Sequence, residues 1–481
     1  MPRPRGWRQT SARYGRMMAE TCERIHMASL EILERVGIDV HDEKARTILG
    51  DHGAWVDDLR VRMPAYMVEG ALDVAPARMT LCDRGGDVAI RAWGYETAFG
   101  GGSDCLYVLD HRTRERRKAV LEDVQQAITV MDGLPEFEFV MSGFLPSDVD
   151  QQVYDVYQME VMLNHTSKPI VFVTPDYDGC VTAVEMCEVV AGGEDAFRQK
   201  PFATCYINVT SGLVANQEAV RKCMYLAEKG LPMLYIPINA AGVNSPSTTA
   251  GCMATLNAGT LLGIVLAQLV REGTPVAVPG WNGGPYNLKS MVGNYVLADE
   301  QGVAASMGKF YDLPVFGLGG ATDSKVLDQQ CAAEAALSLF TAHLNGANIV
   351  HDCGFMDAGM QGSLQLMAID NDLIAWIRAA TASVEVNEET LALDVVEELG
   401  PTGNYLSHDH TYRHFRDAHY SELADKRQYD SWLEQGGTTM EERASAEVEK
   451  ILKTHQPEPL PEEVQAVLRE IVEREERRVS G

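Results

Sequence analysis

The chain has 481 residues, 46% hydrophobic and 23% charged, which is the composition of a globular protein long enough to bury a sizeable core without disulfide or metal staples. Its 69 acidic and 41 basic side chains leave a net charge of −28, which repels nucleic-acid phosphates and anionic lipid headgroups and excludes both as partners except through a local basic patch. At about 150 residues per domain, the length fits three small domains or one large α/β barrel with flanking parts.

The basic patch that stands out is at the start, where Arg3, Arg5, Arg8, Arg13 and Arg16 precede the first acid, Glu20. No apolar signal-peptide segment follows, so residues 1–16 are expected to form a flexible arm. Residues 17–118 open with Ile25, Met27, Leu30, Ile32 and Leu33 at helical spacing, then a second short helix over 40–49, which together predict an α-hairpin. Between 61 and 110, short runs at 79–82, 88–91 and 106–109 are broken by glycine. They predict a small antiparallel sheet, with 93–102 as a loop inside it.

Over 119–385 the pattern becomes a β-branched or aromatic run, a glycine- or proline-marked loop, then an amphipathic helix, repeated. That rhythm predicts βα units around a parallel sheet. Strands are expected at 137–143, 169–174, 202–208, 233–238, 275–279, 314–319 and 348–353, several apolar on consecutive residues as when both faces are buried. Seven such strands suit a closed barrel better than an open sheet, with an eighth strand not visible. The expected fold is therefore α/β: a TIM-type (β/α)8 barrel with an N-terminal helical hairpin, a small antiparallel sheet and a helical C-terminal extension over 386–481. That charged extension reads as solvated surface helices or an oligomer contact. The ten cysteines include no Cys-x-x-Cys pair and read as reduced, buried thiols. No apolar stretch reaches membrane-spanning length, so a cytoplasmic location is expected.

Such barrels place ligands at the C-terminal ends of their strands, here Asn208, Asn239, Trp281, Asn282, Asp323, His351 and Asp352, with Phe355 just beyond. The set is polar and aromatic but poor in acid–base pairs. Gly317, Gly319 and Gly320 suggest a dinucleotide turn, but Thr322 stands where the third glycine belongs, so no nucleotide is expected. His408, His410 and His414 lie outside the strand ends and are expected to hydrogen-bond the chain, leaving no bound metal. Cys353 could pair with His351 as thiolate and base, or be a core cysteine.

Gly319–Lys325 with Asp328–Gln330, 346–351, Ser363–Gln365 and Asp370–Asp372 form an ordered set of short motifs. With 167–170, 249–251, 256–258 and 403–406, the set resembles the trimethylamine methyltransferase family from about residue 108 to 415. The resemblance implies a TIM-type barrel that moves a methyl group from a methylated amine to the cobalt of a separate corrinoid protein. A corrinoid (cobalamin) held by that partner would be the cofactor, and this chain carries no Asp-x-His-x-x-Gly corrinoid motif. Assembly as a homo-oligomer is also expected. One departure is Asn257-Ala258-Gly259, where the family pattern has Asn-Ala-Glu.

The family's archetype uses pyrrolysine, which this chain lacks; its position aligns with the loop 355–362. Members without it are expected to use quaternary ammonium compounds, glycine betaine foremost. A quaternary nitrogen leaves as a neutral amine and needs no general acid, in keeping with strand ends that lack one. Aromatic faces suit such a cation, and Trp93, Tyr95, Tyr206, Trp281 and Phe355 are the candidates, joined by Asn208 and Asp323 as polar contacts. His351, at the end of the last strand, is expected to be the catalytic residue, donating a hydrogen bond to a substrate carboxylate. The alternatives are a non-catalytic quaternary-amine binding barrel, which the Gly259 departure keeps open, transfer from another methylated amine, or transfer to a non-corrinoid acceptor.

Overall fold

Eight parallel strands close a barrel in the computed structural model, which describes residues 12–287, 289–296 and 298–480. They are β1 (Ala98–Gly101), β2 (Phe137–Phe139), β3 (Ile170–Phe172), β4 (Ala203–Val209), β5 (Met233–Pro237), β6 (Val276–Pro279), β7 (Val315–Leu318) and β8 (Ile349–Cys353). β8 pairs with β1 and β1 with β2, both in parallel, and a Val140–Ile170 bridge closes the ring between β2 and β3. Arg3, Arg5 and Arg8 of the expected arm lie outside the described residues.

The seven expected strands are present, and the eighth is the first in the chain. β1 reads Ala-Phe-Gly-Gly, too short and too poor in β-branched residues to signal a strand. It lies upstream of the boundary expected at 119 and inside the stretch expected to be a loop, so the barrel begins at Ala98. Glycine lets it fit: a β-carbon on Gly100 would stand 2.5 Å from the Phe139 carbonyl oxygen of β2.

The antiparallel hairpin Met79–Cys82 with Val88–Ala92 is formed as expected and plugs the end of the barrel where the strands begin. Its Met79, Leu81, Ile90 and Ala92 pack against Leu234, Ala277, Phe316 and Ile349 of the barrel wall. Cys82 and Arg84 donate backbone hydrogen bonds to Pro201 and Ser167, just before β4 and β3. Tyr107–Leu109, expected in the same sheet, instead pairs with Arg116–Lys118 and with Gln361–Gly362 beyond β8.

The N-terminal helices Ala19–Arg35 and Glu43–Asp51 are formed as expected, with a short strand, Ile38–Val40, between them, but rather than pairing as a hairpin each packs on the helix Thr249–Val270. Asp42 caps the second by accepting from the Ala45 amide at 3.0 Å. Thr249–Val270 is longer than its apolar run suggested, and by length and composition it could cross a membrane. It is buried instead, packed against helices Ala19–Arg35, Ala65–Val74 and Gln217–Lys229, as a helix apolar on all sides requires.

The C-terminal extension is not merely solvated. Met440–Thr454 buries Ala444, Val448 and Ile451, packing on helices Leu121–Gly133 and Leu364–Thr381. Glu462–Ser480 buries Leu468, Ile471 and Val472, packing on Tyr154–His165 and Tyr177–Ala191. Charged outer faces hid these narrow apolar stripes from the composition.

Candidate active site

The inner wall is aromatic near the C-terminal ends of the strands. Phe316 of β7 stacks on His351 of β8, with ring centroids 4.1 Å apart and planes 22° apart. Tyr206 of β4 meets the two rings edge-on at 4.9 and 5.5 Å. Trp281, just after β6, lies 5.4 Å from His351 and 6.0 Å from Phe316. Asn208, two residues beyond Tyr206 and therefore on the same face of β4, is exposed, while Trp281 is half-buried. The cluster is packed below and meets solvent on the side of these two residues.

Around the cluster lie Asp352, Tyr295 and Phe355. The Tyr295 hydroxyl donates to Asp352 Oδ2 at 2.6 Å. Phe355 is buried against Gly102 and Gly359, where a side chain at either position would meet its ring. Burial pushes the Asp352 carboxyl up, and burial together with Asp352 does the same to the Tyr206 and Tyr295 hydroxyls. Asp323 Oδ2 accepts from the Tyr295 and Val296 amides at 3.2 and 3.3 Å, so its visible work is to tether the loop that carries Tyr295.

His351 Nδ1 lies 2.6 Å from the Gly317 carbonyl oxygen, and Nε2 faces Asp352. The imidazole N–H is thus given to the barrel wall, which corrects the expectation that it donates to a substrate carboxylate. Tyr95 is a second correction. It precedes β1 and so lies at the opposite, N-terminal end of the barrel, packed near Gly346 with the Arg13 guanidinium 4.3 Å over its ring. Trp93 precedes β1 likewise and lies under Arg78. Phe316 and Tyr295 were missed, the first because an apolar strand residue reads as core, the second because its loop has no periodicity.

Other candidates have structural partners. Asn239 accepts from the Gly212 amide and donates to Cys252 and Thr255. Cys353 is fully buried with its thiol directed at the Gly319 carbonyl oxygen, and burial pushes that thiol up, as for a core cysteine. His414 binds Glu389 and Asp417, and His410 binds the Glu389 carbonyl oxygen. At the departure from the motif, a β-carbon on Gly259 would stand 2.6 Å from the Gly212 carbonyl oxygen. A glutamate there has no room in this chain unless the loop after β4 moves.

The family model for trimethylamine methyltransferase (MTTB) matches residues 3–480. Trimethylamine methyltransferase MttB of Desulfitobacterium hafniense is 33% identical over 94% of this chain and 92% of its own length. The glycine betaine methyltransferase of another strain of that species is 27% identical over 96% of this chain and 98% of its own. Among solved structures, the monomethylamine methyltransferase MtmB of Methanosarcina barkeri has the same fold, with a TM-score of 0.51 at 12% identity over 92% of this chain and 89% of that one.

Proposed function

Because the chain belongs to the trimethylamine methyltransferase family, whose members act on methylated amines, we propose that it takes a methyl group from a quaternary ammonium compound of the glycine betaine kind and passes it to a corrinoid carried by a separate protein. The observation that carries this reading is the cluster of Tyr206, Trp281, Phe316 and His351 at the barrel mouth. Ring faces attract a fixed cation by about 0.5–2 kcal/mol each when desolvated, and they ask for no proton.

The chemistry fits that surface. The bond that breaks joins nitrogen to one methyl carbon, and its electron pair stays on nitrogen, which leaves as a neutral tertiary amine. The corrinoid, when bound, supplies the nucleophile. The chain's own residues hold the cation against the rings, keep water away and point one methyl outward past Asn208 and Trp281. The rim suits a docking partner: Leu106, Val243, Met291, Val326 and Met360 are exposed apolar side chains on loops that follow β1, β5, β6, β7 and β8.

The test is thermal stability in the presence of matched ligands. Glycine betaine at 100 times its dissociation constant is expected to stabilise the protein by about 2.7 kcal/mol. Its carbon analogue, 3,3-dimethylbutanoate, which keeps the carboxylate and lacks the ammonium charge, is expected to do far less at the same concentration. Equal stabilisation by both would show that the site does not read the ammonium charge.

A further inference from the structure

The pairing of β8 with β1 carries one extra residue, since Val350 faces Phe99 while Cys353 faces Gly101. Such a bulge cancels the usual alternation of side chains and often re-aims one beside an active site. Asp352 sits in the bulge at φ 80°, a conformation that costs a non-glycine residue energy. The consecutive residues His351 and Asp352 are thereby brought together, Nε2 3.4 Å from Oδ1. Their side chains are only 4% and 2% exposed. Gly102 opposite leaves the room, because a β-carbon there would stand 2.5 Å from Asp352 Oδ1.

The hydrogens can be assigned from the partners. A carbonyl oxygen only accepts, so His351 Nδ1 carries hydrogen toward Gly317. Tyr295 already donates to Asp352 Oδ2. If Nε2 and Oδ1 both presented lone pairs, they would repel each other in a buried site that disfavours a bare carboxylate. One proton between them removes the conflict, whether it rests on oxygen or on nitrogen.

We infer that Asp352 is the counter-ion of the substrate's ammonium group, and that the proton it shares with His351 in the free protein leaves to solvent when the cation binds. This rests on the quaternary-ammonium reading above. The fixed positive charge displaces the shared proton, and the pair then carries the single negative charge that balances the ligand. The other titratable groups facing Asp352 are Tyr206, Tyr295, Cys105 and Cys353, all held neutral by burial, with the Asp104 carboxyl behind Cys105. Because burial also raises the Asp352 carboxyl, cation binding strengthens as pH rises and weakens as it falls.

The experiment is calorimetric titration of the full chain with tetramethylammonium chloride, at mildly acidic pH, in phosphate and in imidazole buffer. The expected result is a buffer-dependent heat equal to one proton released per cation, with affinity rising up to about tenfold per pH unit. Asp352→Asn is expected to abolish the release and weaken binding by about ten- to hundredfold. Tyr295→Phe, which keeps the acid but removes its donor, is expected to move the pH midpoint of binding upward. Equal heats in both buffers, or the same proton released by Asp352→Asn, would overturn the inference while leaving the ammonium site intact. If neither tetramethylammonium nor glycine betaine bound at all, the quaternary-ammonium reading would fall, and this inference with it.

Discussion

Arg378→Met is expected to destabilise the protein by about 3–5 kcal/mol, measured as a lower urea midpoint. The Arg378 side chain is 7% exposed, and its guanidinium donates to Glu136 Oε2 and Glu138 Oε1, each at 2.6 Å. It also donates to the Thr97 carbonyl oxygen at 3.2 Å, and Glu138 Oε2 accepts from the Phe99 amide at 2.9 Å. One side chain of helix Leu364–Thr381, the last barrel helix, thus holds the entry to β1 and β2 where the ring closes. Removing the cation leaves two buried carboxylates facing each other, which costs more than losing the hydrogen bonds alone. The triple change Arg378→Met with Glu136→Gln and Glu138→Gln is expected to recover most of the loss. A single Arg378→Met variant as stable as the parent would mean that the seam is held by packing alone.

His351→Ala is expected to lower methyl transfer by about ten- to hundredfold, which corresponds to about 1.4–2.7 kcal/mol of barrier. The ring is the centre of the cluster, stacked on Phe316 and touching Tyr206 and Trp281, so its loss lets those rings collapse and leaves Asp352 without its neighbour. The truncation also opens a cavity, so part of the effect would be lost stability. His351→Phe separates the two: it keeps the stacked ring and loses both nitrogens. It is expected to melt near the parent temperature while transferring at least about tenfold more slowly. Parent-like transfer by His351→Phe would reduce His351 to a packing role.

Most of the barrel was legible because strands buried on both faces read as apolar runs, which holds from Phe137 through Cys353. β1 was not, since Ala-Phe-Gly-Gly carries its information in the absence of side chains. That one omission sent Tyr95 to the wrong end of the barrel, because a residue before a strand and a residue after it lie at opposite ends. The strand-end rule found Asn208, Trp281 and His351, whose positions follow from alternation. Asp352 stood in the same stretch, but alternation aims it away from His351, and only the bulge at Val350–Cys353 brings the two side chains to one place. Gly259 shows the reverse case. The missing acid was plain in the sequence, while its cause, the Gly212 backbone pressed against the helix, needed the structure.

Under the proposed function, the aromatic mouth delivers a methyl group from a quaternary ammonium ion to reduced cobalt. The most direct measurement follows the absorbance of cob(I)alamin mixed anaerobically with the protein and glycine betaine. The Co(I) band is expected to decay only when protein and betaine are both present, with dimethylglycine accumulating in equal amount and trimethylamine substituting poorly. A Co(I) band that persists with glycine betaine and with other quaternary amines, while trimethylamine discharges it, would contradict quaternary-ammonium chemistry at this site.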